Sequence, residues 1–163
     1  MATGAELGYQ TNASAVQMAQ TIFGDGVTVV GANYTGDNRS SAIYSNGDAL
    51  APGATPGDSG VILSTGRANH FTRSGGDPNR SGSTSTNTSG QNNNSGFNAA
   101  AGTNTYDASY LDVSFTVDDP TVTQMTMQFV FSSEEYPEFQ NSVYQDFVGV
   151  WVNDAQVDLA VGN

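Results

Sequence analysis

Four carboxylates lie close together near the C-terminal end of the sequence, at Glu134, Glu135, Glu138 and Asp146. Three of them fall in a turn between two strand-like segments, and Asp146 opens the second segment. Neighbouring like charges repel each other unless water or a cation screens them. Calcium binds about six to eight oxygen atoms, and loop carboxylates together with backbone carbonyls suit it. We therefore name these four residues as a candidate calcium site.

The same turn has a simpler interpretation. Successive side chains of a strand point to opposite faces, so Glu134 and Glu135 bind one ion only if a bulge turns one of them. In the alternative, one glutamate is solvated and the other accepts hydrogen bonds from the backbone or from a tyrosine hydroxyl. The sequence leaves both interpretations open.

Paired carboxylates also serve glycoside hydrolases as acid and base, and Trp151, Tyr136 and Tyr144 are able to stack on sugar rings. Against catalysis, the chain has one histidine, His70, and neither cysteine nor lysine. No Ser-His-Asp arrangement surrounds His70. We expect a protein that is not an enzyme, and we keep carbohydrate binding or modification through residues 134–151 as the alternative. Trp151 itself, between Val150 and Val152, has the pattern of a core residue.

Composition excludes several partners. The formal net charge is −12, and the four basic residues are all arginine. Phosphate binding needs a cationic surface, so we expect no nucleic-acid partner. No stretch approaches the ~18 apolar residues of a membrane span, so we also expect no membrane insertion. Without cysteine, disulfides and thiolate metal sites are impossible.

The elements that position these residues are mostly strands. A helical spacing of apolar residues covers 13–23, with Asn12 or Ser14 as its cap. Alternating or apolar runs predict the strands, and Asn153-Asp154 predicts a hairpin turn between the last two of them. The predicted strands cover 27–35, 41–44, 61–66, 110–117, 125–131, 146–152 and 157–161. We therefore predict a mainly β fold, a jelly-roll-like β-sandwich with one N-terminal helix.

Residues 1–163 fit a single domain. Its residues 74–105 are nearly free of large apolar side chains, with Phe97 as the exception. Such a segment does not bury enough apolar surface to order itself. We predict a long polar loop there, either solvated or able to hydrogen-bond a cell-surface glycan.

Five segments resemble the choice-of-anchor L domain, which occurs on secreted bacterial surface proteins. The turn with its flanking strand, residues 129–139 (FVFSSEEYPEF), carries the strongest resemblance. The other similar segments, in order and spacing, are 21–29 (TIFGDGVTV), 34–37 with 43–47, 58–66 (DSGVILSTG), and 110–112 with 146–149. The resemblance covers roughly residues 12–163.

The resemblance implies a non-catalytic extracellular or cell-surface domain with an adhesive, matrix-forming or architectural role. It also implies further strands after this stretch, so we expect the first part of a larger fold. Its partner would be the C-terminal remainder of the same protein, another copy of the chain, or a surface glycan. The N-terminus lacks a basic region followed by an apolar run, which favours export without a signal peptide, as in type I secretion.

Overall fold

A computed structural model of the chain describes residues 6–72, 86–133, 135, 139, 142 and 144–159. The described part is mainly β, with antiparallel strands and short helices. The strands are β1 (Gly8–Gln10), β2 (Val27–Thr35), β3 (Ser41–Ser45), β4 (Gly60–Leu63), β5 (Tyr110–Val117), β6 (Trp151–Val152) and β7 (Ala155–Gln156). The helices are α1 (Ala15–Ile22), α2 (Gly47–Leu50) and α3 (Ser95–Ala101), with a 3-10 turn at Ala68–His70.

Two sheets and one hairpin organise the strands. The first sheet has the order β1-β3-β4, and the second pairs β2 with β5. Both are antiparallel, and β2 aligns Val27 with Val117 and Thr35 with Tyr110. The register shifts between Val29 and Gly31, and this bulge leaves Val30 exposed. The third unit is the hairpin β6–β7, whose turn residues Asn153 and Asp154 both have positive φ, as a tight hairpin requires.

Helix α1 contacts both sheets and supplies the centre of the core. Ser14 caps it reciprocally with Gln17, because each side chain bonds the other residue's backbone N–H. Met18 and Ala19 are fully buried, and the Phe23 ring after the helix lies 4.7 Å from the Phe115 ring on β5. The helix predicted at 13–23 is thus confirmed, with Ser14 as its cap.

Several predicted elements differ from the structure. Among the described residues between β5 and β6 there is neither helix nor strand, so the strand predicted at 125–131 was wrong, and 146–152 contributes only Trp151–Val152. Of the strand predicted at 157–161, residues 157–159 are not in a strand, and the rest lies outside the described residues. Strand β4 is shorter than predicted, and its Leu63 is partly exposed. The predicted polar loop 74–105 contains helix α3, which begins after the cap Asn94, and its residues 74–85 lie outside the described part. A sandwich arrangement of the sheets stays a prediction.

Candidate functional site

The acidic turn is held at its base by a hydrogen bond. The Ser133 hydroxyl donates to Oδ2 of Asp146 at 2.5 Å, and the same hydroxyl accepts the backbone N–H of Glu135 at 3.2 Å. The structure thereby brings Asp146 next to the first residues of the turn. The predicted ligands Glu134 and Glu138 lie outside the described residues. Within the described part, no three histidine or carboxylate side chains are grouped closely enough to hold a metal, and the calcium site stays a prediction.

Trp151 is built into a cluster of aromatic rings. Its indole stacks on the Phe97 ring of α3 at 5.4 Å between centroids, and Phe147 lies 6.4 Å away. Phe97 also meets Tyr110 of β5 edge to face at 5.1 Å. These contacts join the hairpin to the second sheet, while Trp151 itself is half-buried, which is less than a core position would give it. Of the tyrosines named for stacking, Tyr144 is exposed and packs against Phe139, and Tyr136 lies outside the described residues.

An open groove separates the hairpin turn from the sheet β2–β5, and we call it the Trp151 groove. Its volume is about 550 Å³. The pairing of β2 with β5 places Asn33 beside Asp112 and Gly31 beside Ser114 on this side of the sheet. The groove is lined by Gly31, Ala32, Asn33, Leu111, Asp112, Val113, Ser114, Trp151, Asn153 and Asp154.

The polar side chains of the Trp151 groove have no partner in the described part of the chain. Asn33, Asp112, Ser114, Asn153 and Asp154 make no side-chain hydrogen bond there, and all five are exposed. Amides, hydroxyls and carboxylates of this kind both donate and accept hydrogen bonds. Two carboxylates and no described arginine line the groove, which gives it a negative potential.

A second polar cluster, which the sequence did not predict as a site, centres on Asp37, and we call it the Asp37 clamp. The guanidinium of Arg39 donates from Nε to Oδ1 of Asp37 at 2.8 Å and from a terminal nitrogen to Oδ2 at 2.7 Å. Ser89 donates its backbone N–H at 2.8 Å and its hydroxyl at 3.0 Å to the same Oδ2. Arg39 also reaches the carbonyl of Asn87. The clamp therefore fastens the segment before α3 onto the turn between β2 and β3.

Electrostatics favour the ionised form of the clamp. The Arg39 guanidinium, with the backbone N–H groups of Arg39 and Ser89, holds the pKa of Asp37 well below its usual range. The carboxylate in turn raises the pKa of Arg39. The Asp37 side chain is only 3% exposed, so its charge needs these donors. All four acceptor directions of a buried carboxylate are in use, which makes the clamp a structural group and not a free acid or base.

One comparison with known proteins, against family models, gave a match. A family model described as "Choice-of-anchor L domain" matches residues 8–163. The chain belongs to the choice-of-anchor L family. This confirms the resemblance seen in the sequence and points to a surface or extracellular protein with an anchoring role. Comparisons with curated proteins and with solved structures gave no match.

Domains of the choice-of-anchor L family are anchor-type domains and not catalytic ones. The Asp37 clamp lies just after the C-terminal end of β2, and Asp37 belongs to one of the segments that carry the resemblance (residues 34–37).

No helix in the described residues has the length and apolar character needed to cross a membrane.

Proposed function

We propose that this chain is a non-catalytic domain of a cell-surface or secreted protein, with an adhesive, matrix-forming or architectural role. The family match over residues 8–163 carries the proposal. The Asp37 clamp supports it, because the buried carboxylate of Asp37 fixes a loop through its hydrogen bonds to Arg39 and Ser89.

A deletion experiment tests this role. The protein that contains the domain is expressed with residues 8–163 deleted, and surface exposure and attachment of the cells are measured separately. We expect the deletion to reduce attachment or matrix formation while surface exposure is retained. A point variant with the clamp broken, Asp37→Asn, is the matched control for misfolding of the domain. Unchanged attachment by cells that still display the deleted protein would contradict the proposal.

The second part of the proposal is that the domain binds calcium at the acidic turn. The bond from Ser133 holds Asp146 close to Glu135 and leaves the second oxygen of Asp146 without a hydrogen bond in the described part. A cation bound only by the folded state stabilises that state by mass action. We expect a melting temperature several degrees higher in calcium than in excess chelator.

The calcium experiment has a matched control. The double variant Glu135→Gln, Asp146→Asn should lose the calcium response, whereas Asp25→Asn, on an exposed turn far along the chain, should keep it. Magnesium serves as the second cation, since it demands a stricter geometry. The same melting temperature in calcium and in chelator would show that the acidity of the turn is merely solvated.

The Trp151 groove favours a second candidate function, the binding of a glycan. Sugars present hydroxyls to polar side chains, and the groove holds five such side chains that have no hydrogen-bond partner among the described residues. Its two carboxylates disfavour anionic sugars, so a neutral glycan is the class to test. We expect binding of neutral oligosaccharides, without turnover, to weaken in Asp112→Ala and Asn153→Ala and to be unchanged in Asp25→Asn. Equal binding by all variants would exclude the groove.

A further inference from the structure

One segment of the chain has a strand-type sequence and pairs with no strand among the described residues. Residues 123–131 alternate in polarity from Gln124 to Phe129, end in the apolar run Phe129-Val130-Phe131, and carry no proline, glycine or charge. In the part of the chain that the structure describes, neither their backbone nor their side chains make a hydrogen bond. Most apolar side chains in and next to this segment are exposed to solvent, with Val122, Met125 and Val130 between 48% and 50% exposed. Unpaired N–H and C=O groups beside exposed apolar side chains form a template for another strand.

The sequence of the segment is close to symmetric about Thr126. Residues 122–130 are VTQMTMQFV, so a two-fold axis through Thr126 would place like side chains opposite each other. Directly opposed side chains are the unit of stabilisation in an antiparallel pair, and apolar or amide pairs are favourable there. The pairs that this axis creates are Val122 with Val130, Thr123 with Phe129, Gln124 with Gln128, Met125 with Met127, and Thr126 with itself.

The distribution of charge along the chain also favours a second copy of the chain as the partner of this segment. The chain has a net charge of −12, and two copies repel each other over most of their surface. The stretch from Pro120 to Ser133 is free of charge, which makes it a place where two acidic copies approach without opposed carboxylates. Beyond it the same register would set Asp118 opposite Glu134, so the pairing is confined to the uncharged stretch.

We propose that residues 122–130 are a homodimerisation strand, which pairs antiparallel with the same segment of a second copy across a two-fold axis at Thr126. Such an interface is isologous and closes on itself, because each copy uses the same patch. It satisfies the backbone groups of residues 123–130, which have no partner in the described part of the chain, and covers the exposed methionine and valine side chains. The interaction surface is independent of the calcium and glycan proposals.

Cysteine cross-linking tests the register, because the natural sequence contains no cysteine. In the Thr126→Cys variant the two thiols lie directly opposite each other, within reach of a disulfide. In the matched control Thr123→Cys they are offset by six positions, about 20 Å along the strands. We expect mild oxidation to cross-link Thr126→Cys on the order of tenfold faster than Thr123→Cys. Equal rates would overturn the proposal.

A charge swap tests the interface without relying on one variant's fold. The chain of 16.9 kDa should sediment as a dimer at high concentration, and more strongly in high salt, which screens the net charge. We expect Thr126→Glu and Thr126→Lys to be monomeric alone and to form a dimer when mixed. Native chain that stays monomeric at all concentrations, or a dimer that both variants retain separately, would overturn the proposal.

Discussion

Two regions of the molecule both contain strand-like sequences, but they differ in whether those sequences pair into sheets. In residues 6–117, β5 pairs with β2 along its whole length, and α1 covers both sheets with Met18 and Ala19 fully buried. In residues 118–159, the alternating segment 123–131 pairs with nothing that the structure describes. Apart from the bond that the Asp118 N–H donates to the Gly26 carbonyl, the described hydrogen bonds of this region join residues within it, such as Ser133 with Asp146.

The difference shows that alternating polarity in the sequence determines which side chains share a face, whereas a stable strand also requires a neighbouring strand for its backbone hydrogen bonds. A lone strand leaves its backbone groups without partners, and cross-strand side-chain pairs supply most of its stability. The first region contains such neighbours within its own sequence. The second is joined to it through the rings of Phe97, Tyr110 and Trp151.

The largest expected effect is the difference in unfolding free energy between alanine substitutions of two methionines, one from each region. Met18 is 1% exposed between the sheets, and Met125 is 48% exposed. We expect Met18→Ala to lower the free energy of unfolding by about 2–5 kcal/mol, because it leaves a cavity in the core. Met125→Ala should change it by less than about 0.5 kcal/mol in the dilute monomer. Denaturant unfolding measures both, and similar losses would mean that the two regions are equally packed.

The next effect concerns the Asp37 clamp. Asp37→Asn removes the charge that Arg39 and Ser89 both bind, and leaves a guanidinium without its carboxylate. We expect the melting temperature to fall by on the order of 5 °C or more. Asp25→Asn, which removes an exposed carboxylate of the same region, should change it little. If both variants have the same melting temperature, the clamp contributes no more to stability than an exposed surface charge does.

The pH dependence of the clamp follows from the direction of its pKa shift. The folded pKa of Asp37 lies well below the ordinary value of 3.8, so its contribution to stability is fully present above that value. As the pH falls below about 4, the unfolded chain takes up a proton that the folded chain does not, and the contribution shrinks. The melting temperatures of the natural chain and of Asp37→Asn should therefore converge from pH 5 to pH 2. A constant difference would contradict the assigned shift.

Local signals predicted much of the first region. The spacing of Val16, Ala19 and Phe23 predicted α1, and β2, β3 and β5 begin where their alternation begins. The hairpin turn at Asn153-Asp154 was also predicted, because these two residues tolerate positive φ. The strand at 125–131 was predicted from the same kind of alternation and was wrong, since pairing depends on residues far away in sequence.

The Asp37 clamp shows why the candidate sites were harder to predict. Asp37 and Arg39 are two positions apart, and an aspartate that accepts the N–H two residues on is a known turn signal. Its other partner, Ser89, comes from the segment predicted as a polar loop, 52 positions along the chain. Helix α3 was missed for a similar reason, because Phe97 is its one large apolar side chain. Polar contacts between distant segments leave no periodicity in a single sequence.

The smallest expected effects compare the caps of two helices. Ser14 caps α1, which contributes the buried residues Met18 and Ala19 to the core, and Asn94 caps α3, which buries no residue fully but carries Phe97 against Trp151. Each cap should contribute about 1 kcal/mol. Ser14→Ala should shift the unfolding seen by circular dichroism, because α1 is part of the core of the first region.

Asn94→Ala should act mainly on the second region, and the chain's single tryptophan, Trp151, reports on it. Loosening α3 moves Phe97 away from the indole and lets water in, so the emission should shift to longer wavelength before the circular dichroism changes. Ser14→Ala should leave the emission of the folded chain unchanged. If both variants shifted both signals together, the two regions would unfold as one cooperative unit. The unpaired segment 123–131 would then be held by the same packing as β5, and a second copy would not be needed to order it.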